Sequence, residues 1–234
     1  MQLGSGVLFS CTEMVPARCY GQRAVRTDGQ FLSGTAISEV MRRKRPDVFE
    51  VLGASHREVE QMLDRMQYLI GGAAEPTAEL REQGGSLAAT MISAVSQHEA
   101  AEEEYFWPAV KEKVTGRDSL AAGGIEQETE AKKMLAELDG MAPGNSRFIA
   151  LMTQFNRAAR AHIAYEERRV WPDLRAALSP SEAGQLGEKL ARAAKAGPTR
   201  PHPHTPPIPA LLKAAGPAVA AADKLRDAAS GRHS

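Results

Sequence analysis

Residues 162–172 read HIAYEERRVWP, and residues 98–108 read HEAAEEEYFWP. Set in one register, His98 and His162 lead, with Glu102 and Glu166 four residues on and Glu103 and Glu167 five residues on. Trp107 and Trp171 then coincide, as do Pro108 and Pro172, and no other tryptophan occurs in the chain. A step of four residues stacks the His and the Glu on one face of a helix. Two such helices facing one another bring two imidazoles and two carboxylates together inside a bundle.

The flanking residues show that these faces point inward. Leu87, Met91, Ala94, His98, Glu102, Phe106 and Val110 form one apolar stripe on a helix predicted over about 78–114. Phe148, Leu151, Met152, Phe155, Ala159, His162, Glu166 and Val170 form another over about 146–178. A first helix over about 47–69 carries Val48, Val51, Leu52, Val59, Leu63 and Met66 at helical spacing. His56 lies on that stripe, with Glu60 one turn on. A shorter helix is predicted over about 125–138 after a loop holding Gly116, Gly123 and Gly124. Its inward stripe is Glu128, Ala131, Met134 or Leu135, and Leu138. Asn145 or Ser146 caps the helix that follows, and Ser179 with Glu182 caps a fifth to about Ala196. From Gly197 the chain reads PTRPHPHTPPIP, an extended proline-rich segment, and residues 210–229 suit one or two helical pieces.

A buried carboxylate without a partner costs several kcal/mol, so Glu102 and Glu166 need compensation. Imidazoles and carboxylates gathered round a cation supply it, and that donor set suits iron, manganese or zinc. The number of carboxylates favours two ions, bridged by Glu102 and Glu166, over one. Glu103 and Glu167 point about a quarter-turn away and read as supporting partners, unless the helix is locally wound differently. A single histidine on an apolar stripe is ordinarily a core residue, and only the convergence of His56, His98 and His162 argues otherwise. Trp107 and Trp171 read as core plugs, and Tyr165 as packing. Tyr105, three residues past Glu102, is within helical reach of the site. His202 and His204 read as part of a linker laid along the surface.

The paired H-x3-E-E…P segments, with the lone histidine on the first helix, resemble the hemerythrin-like, or HHE cation-binding, family over about residues 47–178. The resemblance implies an all-α, up-down antiparallel four-helix bundle enclosing a non-haem di-iron site, two Fe ions joined by an oxo bridge. By motif position it places ligands at His56, at His98 with Glu102, and at His162 with Glu166. The family's histidine on the third helix has no counterpart here. Register with Leu135 and Leu138 puts Glu128 at that position, or Gln127 if the register slips by one. The expected metal set is therefore His56, His98, Glu102, Glu128, His162 and Glu166. Three carboxylates make harder, more anionic donors, which favour reaction with, or sensing of, O2, NO or peroxide over reversible oxygen carriage. Whether the protein turns over is left open. Alternatives are an iron-handling module without turnover and a metal-free helical interaction domain.

Composition sets the frame. The chain has 234 residues, of which 43% are hydrophobic and 25% charged, enough for one globular domain with tails. Its 29 basic and 29 acidic residues leave no net charge to draw nucleic acid or a membrane surface. The start lacks the basic and cleavage segments of a signal peptide. With only Cys11 and Cys19 present, a cytoplasmic protein without a disulfide framework is expected. The expected organisation is a disordered extension over 1–45, the bundle over 46–196, and a proline-rich tail with short helical pieces over 197–234. Residues 1–40 read as a dispensable extension, and the chain names no protein partner.

Overall fold

A computed structural model describes residues 46–71, 78–116 and 118–231, and the extension expected over 1–45 lies outside the described residues. Among the described residues the protein is all-helical, with six helices and no strand. Helix α1, Val48–Gly71, opens on a reciprocal cap. Asp47 Oδ1 accepts from the N–H groups of Phe49 and Glu50, and Glu50 Oε2 accepts from the N–H of Asp47. Its buried stripe, Val48, Leu52, His56, Val59, Leu63 and Met66, has the spacing read from the sequence.

Helix α2 covers residues 78–113 and is not uniform. Ala78–Ala101 is α-helical, Glu102–Phe106 forms a π turn, and Trp107–Lys113 resumes the α-helix. Helix α4, residues 146–177, repeats the pattern as Ser146–Tyr165, Glu166–Val170 and Trp171–Ala177. The prolines supply the reason. Pro108 and Pro172 have no N–H for the carbonyl four residues back, which disrupts regular α-helix there. In the wider turn the Trp107 N–H reaches Glu102 O and the Trp171 N–H reaches Glu166 O, five residues back. The two prolines that coincide in the repeat thus each follow a π turn.

Helix α3, Asp118–Leu138, starts well before the predicted Ile125. Gly123 and Gly124, expected in a loop, are helical because Gly124 is where α3 presses onto the Trp107 ring. Asn145 caps α4 by accepting from the Arg147 N–H. Ser179 and Glu182 form a complete capping box for α5, Pro180–Ala196. Helix α6, Pro209–Ser230, is one piece that runs through Pro217.

Helix α1 packs against α2, α4 and α5; α3 packs against α2 and α4; α6 lies on the π turn of α2. The apolar interior falls into two clusters. One holds Leu63, Met66, Met91, Leu135, Phe148 and Phe155, and the other Phe49, Phe106, Trp107, Val110, Leu174 and Leu190. His56, His98, Glu102, Glu128, His162 and Glu166 are buried yet belong to neither. In sequence they fall where α1, α2 and α4 pass from one cluster to the other.

The segment after α5 is tied down by charge. Thr199 Oγ1 donates to Asp227 Oδ2, Arg200 Nε donates to Asp227 Oδ1 at 3.0 Å, and His202 Nε2 lies 2.9 Å from Asp223 Oδ2. Arg200 also reaches Asp139 on the loop after α3, at 2.8 Å. The buried residues of α6 are Ala220, Asp223 and Asp227, so a polar latch holds this helix rather than an apolar stripe. Asp227→Ala is therefore expected to loosen α6, at about 3 kcal/mol for a mostly buried charge pair. Faster cleavage within residues 197–231 under limited proteolysis is the measurement. Among the described residues no helix is long and apolar enough to cross a membrane.

Candidate metal centre

Four helices deliver six side chains to one place. His56 comes from α1, His98 and Glu102 from α2, Glu128 from α3, and His162 and Glu166 from α4. Their donor atoms form two groups of four, each within 4.8 Å. One is His56, His98, Glu102 and Glu166; the other is Glu102, Glu128, His162 and Glu166. Glu102 and Glu166 belong to both.

The distances show the division. Glu166 Oε2 lies 3.2 Å from His56 Nε2, while its Oε1 lies 3.1 Å from His162 Nε2. Glu102 Oε2 lies 3.1 Å from His98 Nε2, and Glu128 Oε1 lies 3.9 Å from His162 Nε2. The first three approaches are close but lack hydrogen-bond geometry, and the fourth is too long for a hydrogen bond. Seven buried donor atoms have no hydrogen-bond partner among the described residues: His56 Nε2, His162 Nε2, Glu128 Oε2 and both oxygens of Glu102 and Glu166. Native proteins rarely leave so many polar atoms unsatisfied in one spot. A cation among them accounts for the arrangement, so the residues present fit a metal site.

Electrostatics point the same way. Burial pushes the Glu102 carboxyl well above its ordinary value, and the neighbouring Glu166 pushes it further. Glu128 is also raised, chiefly by burial. Burial would raise Glu166 too, but His162 and His56 outweigh it and hold that carboxyl below the usual range. Burial, with the His56 charge, lowers His98 to about 3, so its ring is neutral and its lone pair free to bind a cation. Two close buried carboxylates cannot both ionise without an added positive charge.

A surrounding layer orients the donors. His56 Nδ1 is 2.9 Å from Glu167 Oε1, and His162 Nδ1 is 3.2 Å from Gln127 Oε1. Such contacts fix the ring so that Nε2 faces the centre. The Trp107 indole N–H donates to Glu128 Oε1, and the Trp171 ring stacks on His56 at 5.3 Å with the planes 16° apart. The tryptophans, read from sequence as core plugs, thus flank the site and touch its donors. The π turns explain why: a five-residue step closes one turn, so Trp107 follows Glu102, and Trp171 follows Glu166, towards the same side.

On α3 it is Glu128, fully buried, that enters the cluster, while Gln127 touches His162 from outside. Tyr105 turns away, its ring under Lys213 of α6, and the Tyr165 hydroxyl donates to the Leu120 carbonyl. His202 pairs with Asp223, far along the chain from the cluster. Sequence reading missed Glu99 and Lys132. Lys132 Nζ meets Glu103 Oε2 at 2.6 Å, both side chains buried, and burial raises the Glu99 carboxyl to about 8. The available signal was the acidic pair Glu99 and Glu103, one turn apart beside the motif, which needs a cation opposite it.

Glu128→His tests the α3 position. A neutral donor there would lower the anionic charge of the second group and give up the acceptor for the Trp107 N–H. The expected results are metal retention with a shifted absorption spectrum and changed tryptophan fluorescence. An unaltered spectrum would show that Glu128 holds no metal.

The model of the hemerythrin HHE cation binding domain matches residues 47–174, more than half of the chain. A crystal structure of a hemerythrin HHE cation binding domain-containing protein from Mycobacterium kansasii is similar in fold. It shares 20% identity at a TM-score of 0.52, over 64% of this chain and 85% of that one. A search of curated proteins gives no significant match. The matched span contains all six clustered residues. The chain belongs to the hemerythrin HHE cation-binding family, and binding a metal cation is the function this membership carries.

Proposed function

We propose that this is a non-haem di-iron protein that reacts with or senses a small oxidant or diatomic ligand, O2, NO or peroxide. The observation that carries the reading is the pair of four-donor groups sharing Glu102 and Glu166. In this reading His56 and His98 would hold one ion and His162 and Glu128 the other, with Glu102 and Glu166 offering a carboxylate to both. Histidine with carboxylate, without thiolate, is a donor set suited to iron. The helix contacts run from α1 to α2, α3, α4 and back to α1, which supports the up-down four-helix bundle built around such centres.

Iron, when bound, supplies the redox chemistry. The chain's own residues define what reaches it. A narrow apolar space of about 30 Å³ borders His56, His98 and His162, walled by Val59, Val95, Phe155 and Ala159. That is room for a water-sized or diatomic molecule. Glu99 lines the same space and, with its carboxyl raised to about 8, holds a proton there near neutral pH. Glu167 and Gln127 keep the His56 and His162 rings oriented. The domain over residues 46–196 carries this chemistry, and a cytoplasmic setting suits a chain whose cysteines are Cys11 and Cys19 alone.

The test is metal analysis of protein expressed with iron available, together with its near-ultraviolet spectrum. Two irons per chain with an intense charge-transfer band are expected. One zinc, or no metal in a folded protein, would sink the di-iron reading. Peroxide consumption by the loaded protein then separates an enzyme from a sensor.

A further inference from the structure

A second cavity lies on the opposite side of the α2 π turn from the metal donors, and it is ten times the size. It measures about 300 Å³ and lies between α2, α5, the 197–205 segment and the first half of α6. Its origin is in how α6 is held. The latch of Asp223 and Asp227 fixes the C-terminal half of that helix. The N-terminal half therefore arches over α2 and α5 without an apolar stripe to fill the space beneath, and Leu211 there is 40% exposed. A volume of this size is at the lower end of small-molecule pockets.

The lining has two characters. Ala100, Ala193, Ala196, Leu212, Pro217 and Val219 make an apolar wall. The charged side chains are unevenly matched. Glu103 is paired with Lys132, whereas Glu104 interacts with the neutral Tyr105 hydroxyl, which leaves its charge uncompensated. Arg200 is bound by Asp139 and Asp227. Lys189, Arg192 and Lys213 line the same cavity with no carboxylate partner among the described residues, Lys213 resting over the Tyr105 ring. An apolar chamber rimmed by Lys189, Arg192 and Lys213 against the single unpaired carboxylate of Glu104 keeps an excess of positive charge and complements a molecule with one anionic end and an apolar body.

We propose that this cavity is a binding site for a single medium-chain organic carboxylate, its chain against the alanine wall and its head between Lys189, Arg192 and Lys213. The site stands apart from the metal centre and needs no metal. It does share a wall with it: Glu103, Glu104 and Tyr105 line the cavity from the same π turn that carries Glu102. An occupant therefore touches the backbone that sets one of the shared carboxylates.

Isothermal titration of the full-length protein, as purified, with decanoate, decyltrimethylammonium and decanol is the test. Decanoate is expected to bind at one per chain, and the cation of equal chain length not at all. Lys189→Glu with Arg192→Glu is expected to weaken decanoate by about tenfold or more, the worth of a charge-assisted contact. Both side chains are exposed, so the fold and the metal content should be unchanged. Gly216→Leu supplies an independent variant. Apart from its chain neighbours a Cβ there meets nothing within 4 Å, and the side chain lies beside the cavity, so it should block decanoate. Because Pro217 follows and disfavours helix at a larger residue, unchanged helix content by circular dichroism is required first. Equal binding of carboxylate and ammonium, or no binding, would overturn the proposal. So would binding that persists in both variants but disappears when the metal is stripped, since that would put the carboxylate at the metal centre.

Discussion

If two ions occupy the site as proposed, Glu166→Ala is expected to remove both at once, whereas His98→Ala should leave about one per chain. The geometry makes the difference. Glu166 sends Oε2 towards His56 and Oε1 towards His162, and those imidazoles belong to different donor groups. Deleting this carboxylate takes one donor from each group and one of the two links between them. His98 belongs to a single group, so the set of Glu102, Glu128, His162 and Glu166 survives its loss. Stability should follow occupancy. A ligand present at a thousand times its dissociation constant stabilises the folded state by about 4 kcal/mol, and Glu166→Ala forfeits that for both sites. Metal analysis and thermal unfolding of the two variants, with and without chelator, make the comparison. Two ions per chain in Glu166→Ala would disprove the bridging role. A melting temperature that chelator lowers equally in the wild type and in Glu166→Ala would disprove it as well.

The second large effect is expected at a residue that is no metal donor itself, Gly124→Ala, one turn before Glu128 on α3. A Cβ on Gly124 would lie 2.1, 2.4 and 2.8 Å from three carbon atoms of the Trp107 ring. No real contact is that short, and the ring cannot swing aside cheaply. It is 1% exposed, packed edge-on to Phe106, and its N–H is committed to Glu128. Either α3 backs away from α2 or Trp107 gives up its hydrogen bond. Overpacking of this kind costs about 1–3 kcal/mol, and here the upper end or more is expected, since the ring lies against a whole helix. Two readouts separate this from mild helix stabilisation: a lower unfolding midpoint and a shifted tryptophan emission. Gly184→Ala is the control. Its Cβ meets nothing within 4 Å, so the same chemical change inside α5 should stabilise by up to about 1 kcal/mol. If both alanine variants were equally stable, the close approach at Gly124 would carry no energetic weight.

Much of this molecule is legible in its sequence, and the places where it is not have physical causes. The stripes through His56, His98 and His162 could be read because helical period is a local property that burial then enforces. The caps at Asn145 and at Ser179 with Glu182 were equally local, and they form as expected. The early start of α3 was not legible. Gly123 and Gly124 argue against helix by propensity, and only the facing Trp107 makes them favourable. The π turns had a sequence signature in the prolines that end both motifs, but a proline alone does not distinguish a kink from a widened turn. Lys132 was invisible for a different reason. A lysine on a helix is read as solvated, and its burial follows from Glu103 on a neighbouring helix. The neighbours of the six clustered residues are settled by how α1 to α4 face one another, which spacing along one helix does not encode.

The six polar residues separate two apolar clusters that would otherwise be continuous, and this layering bears on how the protein comes apart. Helices α1 to α4 run through both clusters, while α5 joins only the second. Along each of these four helices a carboxylate, an imidazole or both come between the two, and the lost hydration and mutual repulsion of the group oppose cohesion. A cation in that group converts it from the weakest section of the interior to a tie binding four helices. Cooperativity itself then depends on the ion. The loaded protein should melt as one unit, with a single sharp transition. The stripped protein should melt in two stages, one end of each helix fraying before the other. The metal would thus determine not only what the molecule can react with, but whether its two halves share one fate.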